Sequence, residues 1–115
     1  MYKQGDIVIV NFPFTDLSNS KVRPAVVISN DKINISGDYL IVMISTQEIK
    51  GDFSVNISNI DVTIPFKPPH HTMFIYCKKI ATLNKCIIRK KITEIKDKNK
   101  IKEIIDKINI GIDLQ

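Results

Sequence analysis

Two hydrophobic periods divide this chain. Up to Ile95 the apolar residues come in short, β-branched runs cut off by glycine, proline or clusters of Asn, Asp and Ser, the pattern of strands in a small sheet. Beyond it, Ile101, Ile104, Ile105, Ile108 and Ile112 fall at helical spacing with lysines and acidic residues between them. The pattern predicts a mainly β fold in which one C-terminal amphipathic helix lays its isoleucine stripe on a sheet. Core packing accounts for that stripe without a membrane or cofactor role.

Ile7-Val8-Ile9-Val10 reads as the first strand, and Pro13 with Asp16-Leu17-Ser18-Asn19-Ser20 as a loop. Ala25 to Ile28 is a short run suited to burial on both faces, and Asn34 to Asp38 connects it to a strand at 39 to 45. Phe53 to Ile57 alternates like a strand and Asp61 to Ile64 reads as a further short one, whereas Pro65, Pro68 and Pro69 argue against regular structure. Met73 to Cys77 restores a strand that leads into Lys78 to Leu83, and Lys91 to Ile95 alternates as the last. Asp97 reads as the helix N-cap and Gly111 as its end signal. With no repeat or linker to split it, the chain is expected to be one domain over 1–115.

The 115 residues are enough to bury an ordinary core without disulfides or a structural metal. A net charge of +5 with 43% hydrophobic residues describes a basic globular protein and excludes a disordered one. That charge favours polyanions, above all nucleic acid, and equally fits lysines that solubilise an isoleucine-rich chain. Cys77 and Cys86 sit in apolar surroundings with no secretory signal ahead of them, so both are expected to be reduced and buried in a cytoplasmic protein. No apolar stretch approaches the length of a membrane span.

The chemistry concentrates at Lys21-Val22-Arg23-Pro24-Ala25-Val26-Val27-Ile28-Ser29-Asn30, an arginine at the mouth of an apolar run. If this run pairs with Tyr39 to Ile44 as an antiparallel hairpin, aligning the apolar centres sets Ala25 opposite Ile44 and Arg23 opposite Thr46. A one-residue slip would turn every side chain to the other face. A guanidinium fixed beside a hydroxyl grips a phosphate and supports charge developing on it. Thr46 as a plain strand-end cap is the simpler alternative.

Other residues carry weaker signals. The chain has no glycine-rich phosphate loop, no Cys-x-x-Cys, no His-Glu-x-x-His and no nucleophile elbow. His70 and His71 are adjacent, so in extended chain they point apart and do not readily share an ion; no metal site is expected. Lys78 and Lys79 interrupt an apolar strand, either because one faces a polar cleft or because both form a bulge or guard an edge. Arg89, Lys90 and Lys91 form the densest basic run, read as a solvated turn or a contact to a phosphate backbone.

The sequence resembles the MazF/PemK family of bacterial toxins from toxin-antitoxin pairs. The resemblance rests on Gly5-Asp6-Ile7-Val8, Phe12-Pro13-Phe14-Thr15-Asp16, Lys21 to Ser29, Ile44-Ser45-Thr46 and Lys79-Ile80-Ala81-Thr82-Leu83-Asn84-Lys85, in family order over nearly the whole chain. The Lys-x-Arg-Pro-Ala-x-Val-Ile-Ser segment is the specific part. The resemblance implies an SH3-like β-barrel of antiparallel strands, similar to MazF and CcdB, acting as a homodimer. It also implies a sequence-selective endoribonuclease that needs no metal or cofactor. Such an enzyme cuts single-stranded RNA to 2′,3′-cyclic phosphate and 5′-hydroxyl ends, is neutralised by a cognate antitoxin, and binds DNA as the complex. The family's catalytic arginine maps onto Arg23 and its catalytic Ser/Thr onto Thr46. Lys21, Ser45, Gln47 and Lys79 are candidate RNA contacts by proximity in sequence, and Phe14 or Phe53 are candidates to hold splayed bases. Ala81 stands where many members carry a basic residue. The alternatives are a CcdB-like toxin that binds DNA gyrase without cutting RNA, and an inactive relative that only binds RNA or antitoxin.

Overall fold

β1 (Asp6–Phe12) leaves a turn whose Gly5 has φ +94°, and a Cβ on Gly5 would lie 2.6 Å from Ile101 Cδ1. The positive φ favours glycine there, and any larger residue would also push the end of the Ile101 side chain aside. The computed structural model describes residues 1–12, 21–48, 50–67 and 72–115, the side chains of Phe12 and Lys21 excepted. β1 is followed by β2 (Lys21–Val27), a short helix α1 (Asp31–Asn34), β3 (Asp38–Ser45), β4 (Ser54–Ser58), β5 (Thr72–Asn84), β6 (Ile88–Glu94) and α2 (Lys98–Ile112). The six strands form one sheet in the order β4-β5-β3-β2-β1-β6, with every pairing antiparallel.

The mainly β architecture with a C-terminal helix is as the sequence predicts. Among the described residues its sheet does not close into a hydrogen-bonded barrel. Among the described residues the edge strands β4 and β6 are linked through the segment after β4. Val62 bridges to Ile95, Thr63 N–H donates to Glu94 O at 3.0 Å, and Ile64 N–H donates to Thr93 Oγ1 at 2.9 Å.

Each sheet face carries its own core. Ile7, Val26, Val42, Ile44, Val55, Ile57 and Ile75 pack with Ile104 and Ile108 of α2 on one face. Val8, Val10, Ala25, Val27, Ile41 and Met43 pack with Tyr39, Leu83 and Ile88 on the other. Neighbours in a strand therefore point into different cores, which is why β2 and β3 read as continuous apolar runs.

The predicted β2–β3 register is wrong by one residue: Ala25 pairs with Met43, not Ile44. Apolar residues on both faces of β3 leave no alternation to select the register. It is set by a buried polar knot at the crossover. Ser29 Oγ donates to Asn34 Oδ1 and accepts from Leu40 N–H at 3.0 Å, Asn34 Nδ2 donates to Ser29 O at 2.9 Å, and Ile28 N–H donates to Leu40 O at 2.9 Å. Asn30 caps α1 by accepting from Lys32 N–H.

Three further expectations are corrected. Asp61 to Ile64 is not a strand: Asn59–Asp61 is a 3₁₀ turn held by the Asp61 carboxylate, which accepts from Ser58 N–H at 2.9 Å and so competes with sheet formation. Arg89, Lys90 and Lys91 belong to β6, which starts at Ile88, and they place cations on an edge strand. Gly111 lies inside α2 and does not end it. A Cβ there would approach Phe53 Cε1 to 3.2 Å, so a larger residue would need the Phe53 ring to give by a few tenths of an ångström. Asp97 does cap α2, accepting from Asn99 N–H at 2.9 Å, whereas Ile112 at the far end of the stripe is 72% exposed.

Cys77 is buried as expected, but Cys86 is exposed, because it projects from the 3₁₀ turn Lys85–Ile87 while Ile88 turns inward. Burial pushes the Cys77 thiol up to about 11, with a smaller downward pull from Lys107 and a smaller upward push from Glu103. Thiolate is the reactive form, so iodoacetamide at neutral pH is expected to label Cys86 and spare Cys77 in the folded protein. Mass spectrometry of the alkylated peptides checks this; equal labelling would contradict it. No helix among the described residues is long and apolar enough to cross a membrane.

Candidate nucleic-acid interface

Arg23 lies on β2 directly opposite Val10 of β1, and residues directly opposite share a face, so it belongs to the face of Val8, Val10, Ala25 and Met43. It is half-buried, and no ion pair or hydrogen bond holds its guanidinium among the described residues. The β2–β3 ladder ends at Ala25 and Met43. Two residues further along both strands, the same register carries Arg23 across from Ser45. The expected pairing of Arg23 with Thr46 does not form: Arg23 lies beyond the last β2–β3 pair, the register extended past it points to Ser45 instead, and Thr46 follows immediately on the bend after β3.

That bend is held by Ser45, whose Oγ accepts from Gln47 N–H at 3.1 Å. Ser45 is half-buried, and Thr46 and Gln47 are exposed. Thr46 is therefore an exposed residue at the same end of the sheet as Arg23, on a turn with its own internal tie. A cation and a hydroxyl so placed offer two kinds of donor to one phosphate.

The row continues across the sheet. Ser45 pairs with Phe74 of β5, and Phe74 with Asn56 of β4. In the adjacent row Ala25 pairs with Met43, Met43 with Tyr76, and Tyr76 with Ser54. Phe74 and Tyr76 are half-buried, Asn56 is exposed, and the intervening Met73, Ile75 and Cys77 are buried in the other core. Sequence reading missed this pair, although the alternation of Phe74 and Tyr76 with Met73, Ile75 and Cys77 already sets them on one face.

Lys78 and Lys79 lie in a bulge: Val42 pairs with Ile80 and the next residue, Met43, with Tyr76, so Cys77, Lys78 and Lys79 have no counterparts on β3. The Lys78 ammonium sits 5.3 Å from the Phe53 ring centre and that of Lys79 5.9 Å from the Tyr76 ring centre. Phe53 packs against the helix-side core and Gly111, which ill suits it to hold a base. The backbone of Lys21 pairs with Phe12 at the start of β2, while its side chain, Phe14, His70 and His71 lie outside the described residues. Among those described, no cluster of three His, Cys, Asp or Glu could hold a metal ion.

On the opposite face of β2, a groove of about 880 Å³ runs between Val22, Ile64 and Phe66 and the cations Lys67, Arg89 and Lys90. Lys91, also on its wall, is tied to buried Asp6 and to Glu94, each at 3.3 Å.

A family model described as the PemK-like, MazF-like toxin of type II toxin-antitoxin systems matches residues 3–111. No curated protein sequence matches the chain significantly. Among solved structures, a mycobacterial endoribonuclease in complex with its cognate antitoxin superposes with a TM-score of 0.74 at 15% identity, covering 100% of both chains. MazF from Deinococcus radiodurans gives 0.75 at 16% identity over 98% of this chain and 97% of its own. The Mycobacterium tuberculosis toxin MazF-mt6 gives 0.72 at 14% over 96% and 98%. At such identities these likenesses establish the fold alone.

Proposed function

The chain belongs to the PemK-like, MazF-like toxins of type II toxin-antitoxin systems, and we propose that it is a metal-independent, sequence-selective endoribonuclease acting on single-stranded RNA. The observation that carries this reading is the guanidinium of Arg23, without an ion pair or hydrogen bond among the described residues, at the same sheet end as the Ser45-Thr46 turn. In the proposed reaction the 2′-oxygen attacks the adjacent phosphorus, forming a P–O2′ bond as the P–O5′ bond breaks. The 2′-hydroxyl gives up its proton and the departing 5′-oxygen gains one, leaving a 2′,3′-cyclic phosphate and a 5′-hydroxyl.

Charge builds on the non-bridging oxygens in the transition state, and a guanidinium stabilises it by paired hydrogen bonds without acting as a base. Arg23 takes that role. Thr46 donates to a phosphate oxygen, Ser45 positions Thr46 through the turn, and Lys21, Gln47 and Lys79 contribute contacts to the strand. Single-stranded RNA is the substrate because in-line attack needs a backbone released from the A-form helix. The working unit is a homodimer, neutralised when an acidic, apolar segment of a cognate antitoxin covers the basic surface.

Induced expression in bacteria tests this reading against a gyrase-directed toxin. Wild type is expected to arrest growth with fragmented cellular RNA, and Arg23→Ala and Thr46→Ala to relieve both. Arrest with intact RNA would overturn the nuclease reading in favour of a target-binding toxin.

A further inference from the structure

We propose that Phe74 and Tyr76 form the platform on which bases flanking the scissile phosphate stack, with Asn56 reading the edge of the base on Phe74. The proposal rests on the nuclease reading of Arg23. Phe74 pairs with Ser45, and Tyr76 with Met43, the residue that closes the β2–β3 ladder opposite Ala25, so both rings lie on Arg23's face two strands away, where paired strands are about 4.8 Å apart. A nucleotide whose phosphate is held by Arg23 can reach that far with its base. Tyr76 is two residues along the same strand and on the same face, so the two rings offer successive stacking surfaces.

Their burial pattern suits this role. Met73, Ile75 and Cys77 fill the core beneath, leaving Phe74 and Tyr76 half-buried and fixed by the sheet on the outward side. The Lys79 ammonium, over the Tyr76 ring at 5.9 Å from its centre, adds a cation where the backbone would pass and swings aside when a base takes that face. A half-exposed aromatic pair anchored on a strand, bordered by Arg23 and Lys79, combines the two elements that bind single strands: π-faces for bases and cations for phosphates. Stacking accepts any base, so discrimination needs a hydrogen-bonding group at the ring's margin. Asn56, exposed and directly opposite Phe74, carries both a donor and an acceptor.

The test uses two kinds of strand. One is a cleavable RNA; the other has 2′-deoxy residues at the cut site and 2-aminopurine beside it, so that binding and stacking are read without cleavage. Wild type is expected to quench 2-aminopurine fluorescence on binding. Phe74→Leu and Tyr76→Leu, which keep apolar bulk but lose the ring, are expected to abolish the quench at one position each and weaken binding about tenfold or more. Phe74→Tyr and Tyr76→Phe should restore it. In cleavage the Leu variants should raise KM more than they lower kcat, and Asn56→Ala should broaden the set of sites cut.

Quenching and KM unchanged in both Leu variants, with wild type cutting RNA, would overturn the platform and leave the nuclease reading standing. If wild type quenches the uncleavable strand, the Leu variants lose the quench and yet no RNA is cut, the nuclease reading fails and the flanking-base role with it, while base stacking on Phe74 and Tyr76 is supported. No binding by wild type overturns the platform outright.

Discussion

Replacing Arg23 by alanine is expected to slow cleavage of single-stranded RNA by about 10²–10³-fold, the usual cost of removing one preorganised donor from a developing oxyanion. The protein should remain folded, because Arg23 is half-buried and makes no hydrogen bond or ion pair among the described residues. Single-turnover rates with saturating RNA isolate the chemical step. Arg23→Lys keeps the charge but loses the planar fork, so it should recover only part of the rate. A variant lacking Arg23 that cut as fast as wild type would remove this residue from the mechanism.

The largest structural effect is expected at Ile104, fully buried where α2 meets the sheet. Its truncation to alanine opens a cavity among Val55, Ile57, Ile75 and their neighbours, which hold their places on hydrogen-bonded strands and collapse only in part. The expected loss is about 2–5 kcal/mol. Ile112, on the same predicted stripe but 72% exposed, should tolerate alanine within about 0.5 kcal/mol. Urea unfolding of the two variants checks the contrast. Equal losses would mean that α2 packs differently.

The contrast between these isoleucines shows what the sequence could reveal. Helical spacing marks a stripe but not where the sheet beneath it stops, so Ile112 reads like Ile104. The strands were legible because β-branched runs between turn residues have few other solutions. Register was not, since Leu40 to Ile44 is apolar whichever face is chosen. The Ser29–Asn34 knot that fixes it is formed by polar residues that look like ordinary loop until they are brought together.

The candidate site was legible to a similar depth. A strand-mouth arginine and a hydroxyl after the next strand predicted convergence at one end of the sheet, and Arg23 and the Ser45-Thr46 turn do come to the same end. The slip of one residue set Met43, not Ile44, opposite Ala25, so the register extended to Arg23 points to Ser45 and not to Thr46. Phe74 and Tyr76 escaped notice because their strand reads as core throughout. Only the pairing of Phe74 with Ser45 and of Tyr76 with Met43 carries them onto Arg23's face, two strands away.

The most direct measurement is to incubate the purified protein with a long single-stranded RNA in excess chelator and determine the chemistry of both new ends. Discrete cuts that leave a 2′,3′-cyclic phosphate upstream and a 5′-hydroxyl downstream are the predicted result. Ends bearing 5′-phosphate and 3′-hydroxyl, or cleavage that stops when metal is removed, would contradict internal attack by the 2′-oxygen assisted by Arg23.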